Sequence, residues 1–176
     1  MKLKQRKEGI NMTYEIVFDS VTGNTKLLAE KIKECMENGE CSYFGSPAEA
    51  PAQADMIFAG FWTDKGSCSE SMRAFLEGLK DKDVFLFGTA GFGGMQEYFE
   101  QILGSVEAYI PESCTVKGTF MCQGRMQEGV KHRYEAMLEQ NPADERIKAM
   151  LANFEKALPH PDSGDLQELE EGLKKL

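Results

Sequence analysis

Tyr14-Glu15-Ile16-Val17-Phe18-Asp19-Ser20-Val21-Thr22-Gly23-Asn24-Thr25 carries the chain from its first strand into its first helix. Tyr14 to Phe18 reads as a buried strand. Leu27, Leu28, Ile32, Cys35 and Met36 repeat as the apolar face of a helix from about Thr25 to Glu37. Between them lies a turn of hydroxyls and one glycine, a combination that suits a phosphate. The first N–H groups of a helix have no partner within it, and the helix dipole adds positive charge there. Ser20, Thr22 and Thr25 hydroxyls and the Asn24 amide add further donors. No Lys or Arg is required, although Lys26 adjoins the turn. A plain N-cap also favours Ser, Thr or Asn, but one cap needs one such residue. The three spaced glycines of a dinucleotide fingerprint are missing, as is the Gly-Lys-Ser/Thr ending of a P-loop.

Strands and helices alternate outward from this turn. A short second strand falls at Cys41–Phe44, a third at Asp55–Gly60, a fourth at Asp83–Thr89 and a fifth at Thr115–Met121. Met72, Phe75, Leu76 and Leu79 mark a second helix, and Met95, Phe99, Ile102 and Leu103 a third. Apolar strands separated by helices predict a parallel sheet covered on both faces, joined by right-handed crossovers. The expected architecture is a three-layer α/β/α sandwich with an extended helical C-terminus.

That C-terminus is purely helical. Met126, Val130, Tyr134, Met137 and Leu138 give one face, and Ile147, Met150, Leu151, Phe154 and Leu158 another. Pro142 suits a helix N-terminal position. Beyond Pro159-His160-Pro161, where His160 reads as part of a solvated linker, Asp165 is expected to cap a last helix with Glu168 three residues on. Its stripe of Leu166, Leu169, Leu173 and Leu176 can pack on the domain or on a second subunit, and packing on the domain is the default. The expected units are a leader at 1–11, a main domain at 12–158 and a linker with closing helix at 159–176. Met12 is an alternative start.

Composition bounds the function. Of 176 residues, 41% are hydrophobic and 28% charged, as in ordinary globular domains, and the net charge is −9. That charge argues against nucleic acid or anionic membrane and favours partners with basic patches. No apolar run has the length of a membrane span or a signal peptide, so a cytoplasmic protein is expected. The five cysteines include no C-x-x-C pair, and the two histidines form no metal pair, so no metal site and no hydrolase triad is indicated.

The loops after the first, third and fourth strands converge at one sheet edge. The first is Ser20 to Thr25. The second, Phe61-Trp62-Thr63-Asp64-Lys65-Gly66 and on to Ser69, holds the only tryptophan. The third, Thr89-Ala90-Gly91-Phe92-Gly93-Gly94, sets one aromatic residue among glycines that let backbone approach a ligand. Trp62 as a core cap, Phe92 as a buried ring and the glycines as a tight turn are the plainer readings. Their coincidence at one edge points to a ligand with a phosphate at one end and a flat ring at the other.

Here the chain resembles the flavodoxin family. Ser20-Val21-Thr22-Gly23-Asn24-Thr25 fits the family's (T/S)-x-T-G-x-T phosphate loop, in place after the first strand, with the aromatic second and glycine-rich third loops in support. The resemblance spans about Met12 to Met121. It implies strand order 2-1-3-4-5, noncovalent FMN and one- or two-electron transfer. It would put Ser20, Val21, Thr22, Gly23, Asn24 and Thr25 on the phosphate. Phe61, Trp62, Thr63, Asp64, Lys65 and Gly66 would flank one side of the ring, and Thr89, Ala90, Gly91, Phe92, Gly93 and Gly94 the other. The third loop departs from the family in lacking a carboxylate and in carrying Phe92 where a Tyr is usual, and the helical tail is longer than one closing helix. A backbone carbonyl near Asp64 to Gly66 would accept a hydrogen bond from reduced flavin, and apolar stacking by Trp62 and Phe92 would lower its potential. Arg125 is a candidate for a substrate anion or partner carboxylate. No catalytic residue is assigned.

Three functions follow from this reading. The first is an FMN electron carrier between a reductase and an acceptor protein. The second is an FMN-dependent NAD(P)H oxidoreductase acting on a small molecule such as a quinone. The third is a flavin-free module, against which the intact first loop argues. Monomer and dimer are both compatible with the sequence.

Overall fold

The computed structural model describes residues 12–176, so the expected leader at 1–11 lies outside the described residues. Five strands, β1 (Thr13–Phe18), β2 (Glu40–Gly45), β3 (Met56–Trp62), β4 (Asp83–Ala90) and β5 (Thr115–Gln123), form one parallel sheet in the order β2-β1-β3-β4-β5. That is the expected flavodoxin-like topology. β1, β3 and β4 are buried almost throughout, because both sheet faces are covered at the centre. Edge strand β5 alternates in burial along its first half, with one face packed and the other open.

Helices α1 (Asn24–Cys35), α2 (Glu70–Glu77), α3 (Gln96–Glu107), α4 (Glu128–Gln140), α5 (Glu145–Ala157) and α6 (Ser163–Leu173) complete the chain. On one face α2 and α3 bury Met72, Leu76, Ile102 and Val106 against Val17, Ile57, Phe61 and Leu86. On the other, α1 and α6 bury Leu28, Ile32, Leu169 and Leu173 against Tyr14, Ile16, Phe58 and Phe87. Of the last leucine stripe, Leu169 and Leu173 pack with the first helix, Leu166 is half-buried beside them and Leu176 is exposed, and Lys31 seals the contact with an ion pair to Glu170 at 3.2 Å. Helices α4 and α5 form a hairpin between β5 and α6, joined by a Lys131–Glu155 pair at 2.7 Å.

Several boundaries differ from expectation. β3 continues through Phe61 and Trp62, which pair with Gly88 and Thr89, so the second loop starts later than its composition suggests. β5 likewise runs on to Gln123, which pairs with Ala90. Pro142 lies before α5, because Asp144 is the cap and accepts the Arg146 and Ile147 N–H groups. The cap of α6 is Asp162, not Asp165. Asp162 Oδ1 accepts the Asp165 N–H at 3.0 Å, while Asp165 Oδ2 accepts the Asp162 N–H at 2.8 Å. His160 is no free linker residue either, since its Nδ1 lies 2.6 Å from Asp165 Oδ2.

Candidate functional site

The C-terminal ends of β1, β3 and β4 meet at a cavity of ≈ 370 Å³. Val21, Thr22 and Asn24 line it from the first loop, Trp62 and Thr63 from the second, and Thr89 to Phe92 from the third. Arg125, Met126, Gln127, Val130, Arg133 and Tyr134 close the remaining side.

The first loop turns on Gly23, whose φ of 87° disfavours any side chain. As the cap of α1, Gly23 offers no side-chain acceptor to the first turn of the helix, and Ser20 Oγ accepts the Lys26 N–H at 3.2 Å. The hydroxyl and amide groups of the loop have separate tasks. The Thr25 hydroxyl is buried and lies 3.2 Å from that of Thr89, tying the first loop to the third. The Asn24 amide donates to the Arg125 carbonyl at 2.8 Å, tying it to the segment after β5. Val21 and Thr22 are exposed and face the cavity.

In the second loop, half-buried Trp62 ends β3, and Thr63 donates both its N–H (2.9 Å) and its hydroxyl (2.8 Å) to the Thr89 carbonyl. Asp64 and Ser67 exchange backbone hydrogen bonds of 2.8 and 2.9 Å around Lys65 (φ 49°) and Gly66 (φ 80°), a two-residue turn with both central φ positive. Asp64, Lys65 and Gly66 stand apart from the cavity lining. Phe61 is fully buried beneath Gly88, where an added Cβ would sit 2.6 Å from its ring.

The third loop is held from outside. The Gly91 carbonyl accepts from Gln123 Nε2 at 2.9 Å and from Asn153 Nδ2 at 3.0 Å, and Gln123 also donates to Asn153 Oδ1 at 3.0 Å. Met126 packs so close to Gly91 that a Cβ there would meet its Cγ at 2.7 Å. Phe92 is 40% exposed. Gly93 packs against Gln123 and Phe99, and Gly94 takes a φ of 90°; neither lines the cavity.

Sequence reading did not assign the α4 wall to the site. Its signal was present as the apolar spacing of Met126, Val130 and Tyr134, but that spacing does not say what the face covers. Burial pushes the Cys68 thiol up, and the Cys122 thiol far up, so neither is a ready thiolate. His160, Asp162 and Asp165 gather at the start of α6, where helix capping accounts for the two aspartates and His160 pairs with Asp165.

The lining suits FMN. Hydroxyls, helix-start N–H groups and guanidinium groups can hold a phosphate, while Trp62, Phe92 and Tyr134 supply aromatic surface for a flat ring. The family model for the flavodoxin domain matches residues 15–174. A flavodoxin-like domain-containing protein BilS of Clostridium symbiosum is 44% identical over 172 residues, covering 88% of this chain and 90% of the relative. The protein of the same description from Clostridioides difficile is 34% identical over 160 residues, covering 87% and 89%. Oxidised flavodoxin 2 of Bacillus cereus shares the fold at a TM-score of 0.55 and 15% identity, over 93% of this chain and 96% of that one. The chain belongs to the flavodoxin family, and FMN is its cofactor.

Proposed function

We propose that the chain carries electrons between redox proteins through FMN held in this cavity. The observation that supports a carrier is the rim. Val21, Phe92 and Met95 are 57%, 40% and 64% exposed, on a chain of net charge −9. Val21 and Phe92 border the cavity, and Phe92 and Met95 border a second opening beside it. Exposed apolar residues around a cofactor, on a chain that is acidic overall, suit brief docking to a redox protein.

Bound FMN would supply the one- and two-electron chemistry. Ser20 to Thr25 would bind its phosphate through Thr22, the Ser20 hydroxyl and the helix-start N–H groups, with Asn24 and Thr25 bracing the loop. Trp62 and Phe92 would flank the ring and exclude water from its faces. The Asp64 carbonyl already accepts the Ser67 N–H. Of the turn's carbonyls, those of Lys65 and Gly66 would then be left to accept a hydrogen bond from the reduced ring, which would have to extend past the cavity lining to reach them. Thr63 would hold that turn against β4.

One observation favours a second reading, FMN-dependent reduction of a small molecule by NAD(P)H. Met126, Val130 and Tyr134 wall the cavity as a substrate pocket would be walled. The purified protein, loaded with FMN, separates the two. Rapid electron exchange with a redox protein and no NAD(P)H oxidation on its own is the result expected of a carrier. Steady NAD(P)H oxidation without a partner protein would replace the carrier with the reductase, and failure to bind FMN would remove both.

A further inference from the structure

Chain-wide charge and the charge of this cavity have opposite signs. The sequence has 29 acidic and 20 basic residues. Three other cavities of the described residues each include at least one glutamate. The site cavity has none, nor any aspartate, but it has two arginines, Arg125 and Arg133. Among the described residues, the ion pairs engage Arg73 but neither Arg125 nor Arg133. Arg133 instead lies with its guanidinium carbon 5.8 Å from the Tyr134 ring centre.

The placement of both is built in. Gly124 lies against Asn24 so tightly that a Cβ would come within 2.5 Å of its amide nitrogen. Asn24 donates to the Arg125 carbonyl. Arg125 therefore starts directly beside the first loop. Arg133 shares an α4 face with Val130, three residues earlier and also lining the cavity.

We infer that Arg125 and Arg133 form an oxyanion-binding site on the α4 side of the cavity, which takes a phosphate or carboxylate of an organic anion. A planar guanidinium donates two parallel hydrogen bonds to either group, and no ion pair among the described residues and no carboxylate in the cavity lining occupies either arginine. The anion closest to hand is the phosphate of FMN itself, since Arg125 is tied to the loop expected to hold it; this assignment rests on the proposed function. A carboxylate on a small-molecule electron acceptor is the other source.

Flavin titration separates the sources. FMN and riboflavin are titrated into wild type, R125Q, R133Q and the double variant, with circular dichroism to verify folding. For the cofactor phosphate, the double variant loses about 10- to 100-fold in FMN affinity. Riboflavin affinity stays within about twofold, and the salt dependence of FMN binding flattens. In a second arm, phthalate is added to FMN-loaded protein. A carboxylate site predicts a saturable change in flavin absorbance that the double variant abolishes while its FMN affinity is unchanged. Equal losses for FMN and riboflavin, or no response in either arm, would overturn the inference. Wild type that binds neither flavin would instead overturn the proposed function, and inorganic phosphate titrated into wild type and double variant would then test the arginines alone.

Discussion

Glu15 is 1% exposed in the middle of β1, and its carboxylate accepts the N–H groups of Ala52 (3.0 Å), Gln53 (2.7 Å) and Ala54 (3.0 Å). The connection before β3 thus wraps around one side chain, with Ala52 at a φ of 51°. Glu15→Ala strands all three donors and is expected to cost about 3 kcal/mol in urea unfolding, with Glu15→Gln losing less because one acceptor oxygen remains. Gly60→Ala, whose Cβ would sit 2.3 Å from the Phe87 ring, is expected to cost about 1–3 kcal/mol in the same assay. Lys65 is exposed and outside the cavity lining, so redox titration of Lys65→Ala should give the wild-type flavin potential. At this scale the sequence was legible where local chemistry decides, as at Gly23, whose turn demands a positive φ. It was not legible at Glu15, whose partners lie far along the chain and which reads simply as one polar residue in an apolar strand.

Among the elements, α6 shows the limits of local signals most clearly. Two aspartates three residues apart both suit a cap, and only the observed box says that Asp162 holds the position. Asp162→Ala should lower the urea midpoint and speed amide exchange in the first turn of α6. The Asp165 N–H holds the Asp162 carboxyl below the usual carboxylate range, ahead of a smaller contribution from His160. A group whose folded pKa is lowered stabilises fully above its unfolded value, about 3.9, and ceases to do so as pH falls through the lower folded one. Fraying of α6 should therefore begin only in acid below about pH 4, and Asp162→Asn should abolish that pH dependence. Helices α4 and α5 were legible as helices from their apolar spacing. Their seat on the site was not, because it depends on Asn153 and Met126 meeting Gly91, contacts between segments that no periodicity connects. Asn153→Ala removes one of two donors to the Gly91 carbonyl and should weaken FMN binding several-fold while leaving α5 helical by circular dichroism.

For the molecule as a whole, the sheet was the most legible feature. Its central strands are nearly continuous apolar runs, broken in β1 by Glu15, because both faces are covered, and the parallel arrangement brings the three loops together. Strand ends were less so, since Trp62 and Gln123 join the sheet through pairing with β4. FMN that binds only the folded state should stabilise it by about 2.7 kcal/mol at 100 times its Kd, read as a rise in Tm with ligand concentration. No helix among the described residues is long and apolar enough to cross a membrane. The packing of α6 on α1 also has a consequence for how the chain is made. The face that α1 shares with Leu169 and Leu173 is completed by a segment that leaves the ribosome only after all five strands have emerged. Until then Leu28 and Ile32 lack part of their cover, so a chain truncated before Ser163 should be cut by protease at α1 under conditions where the full chain resists.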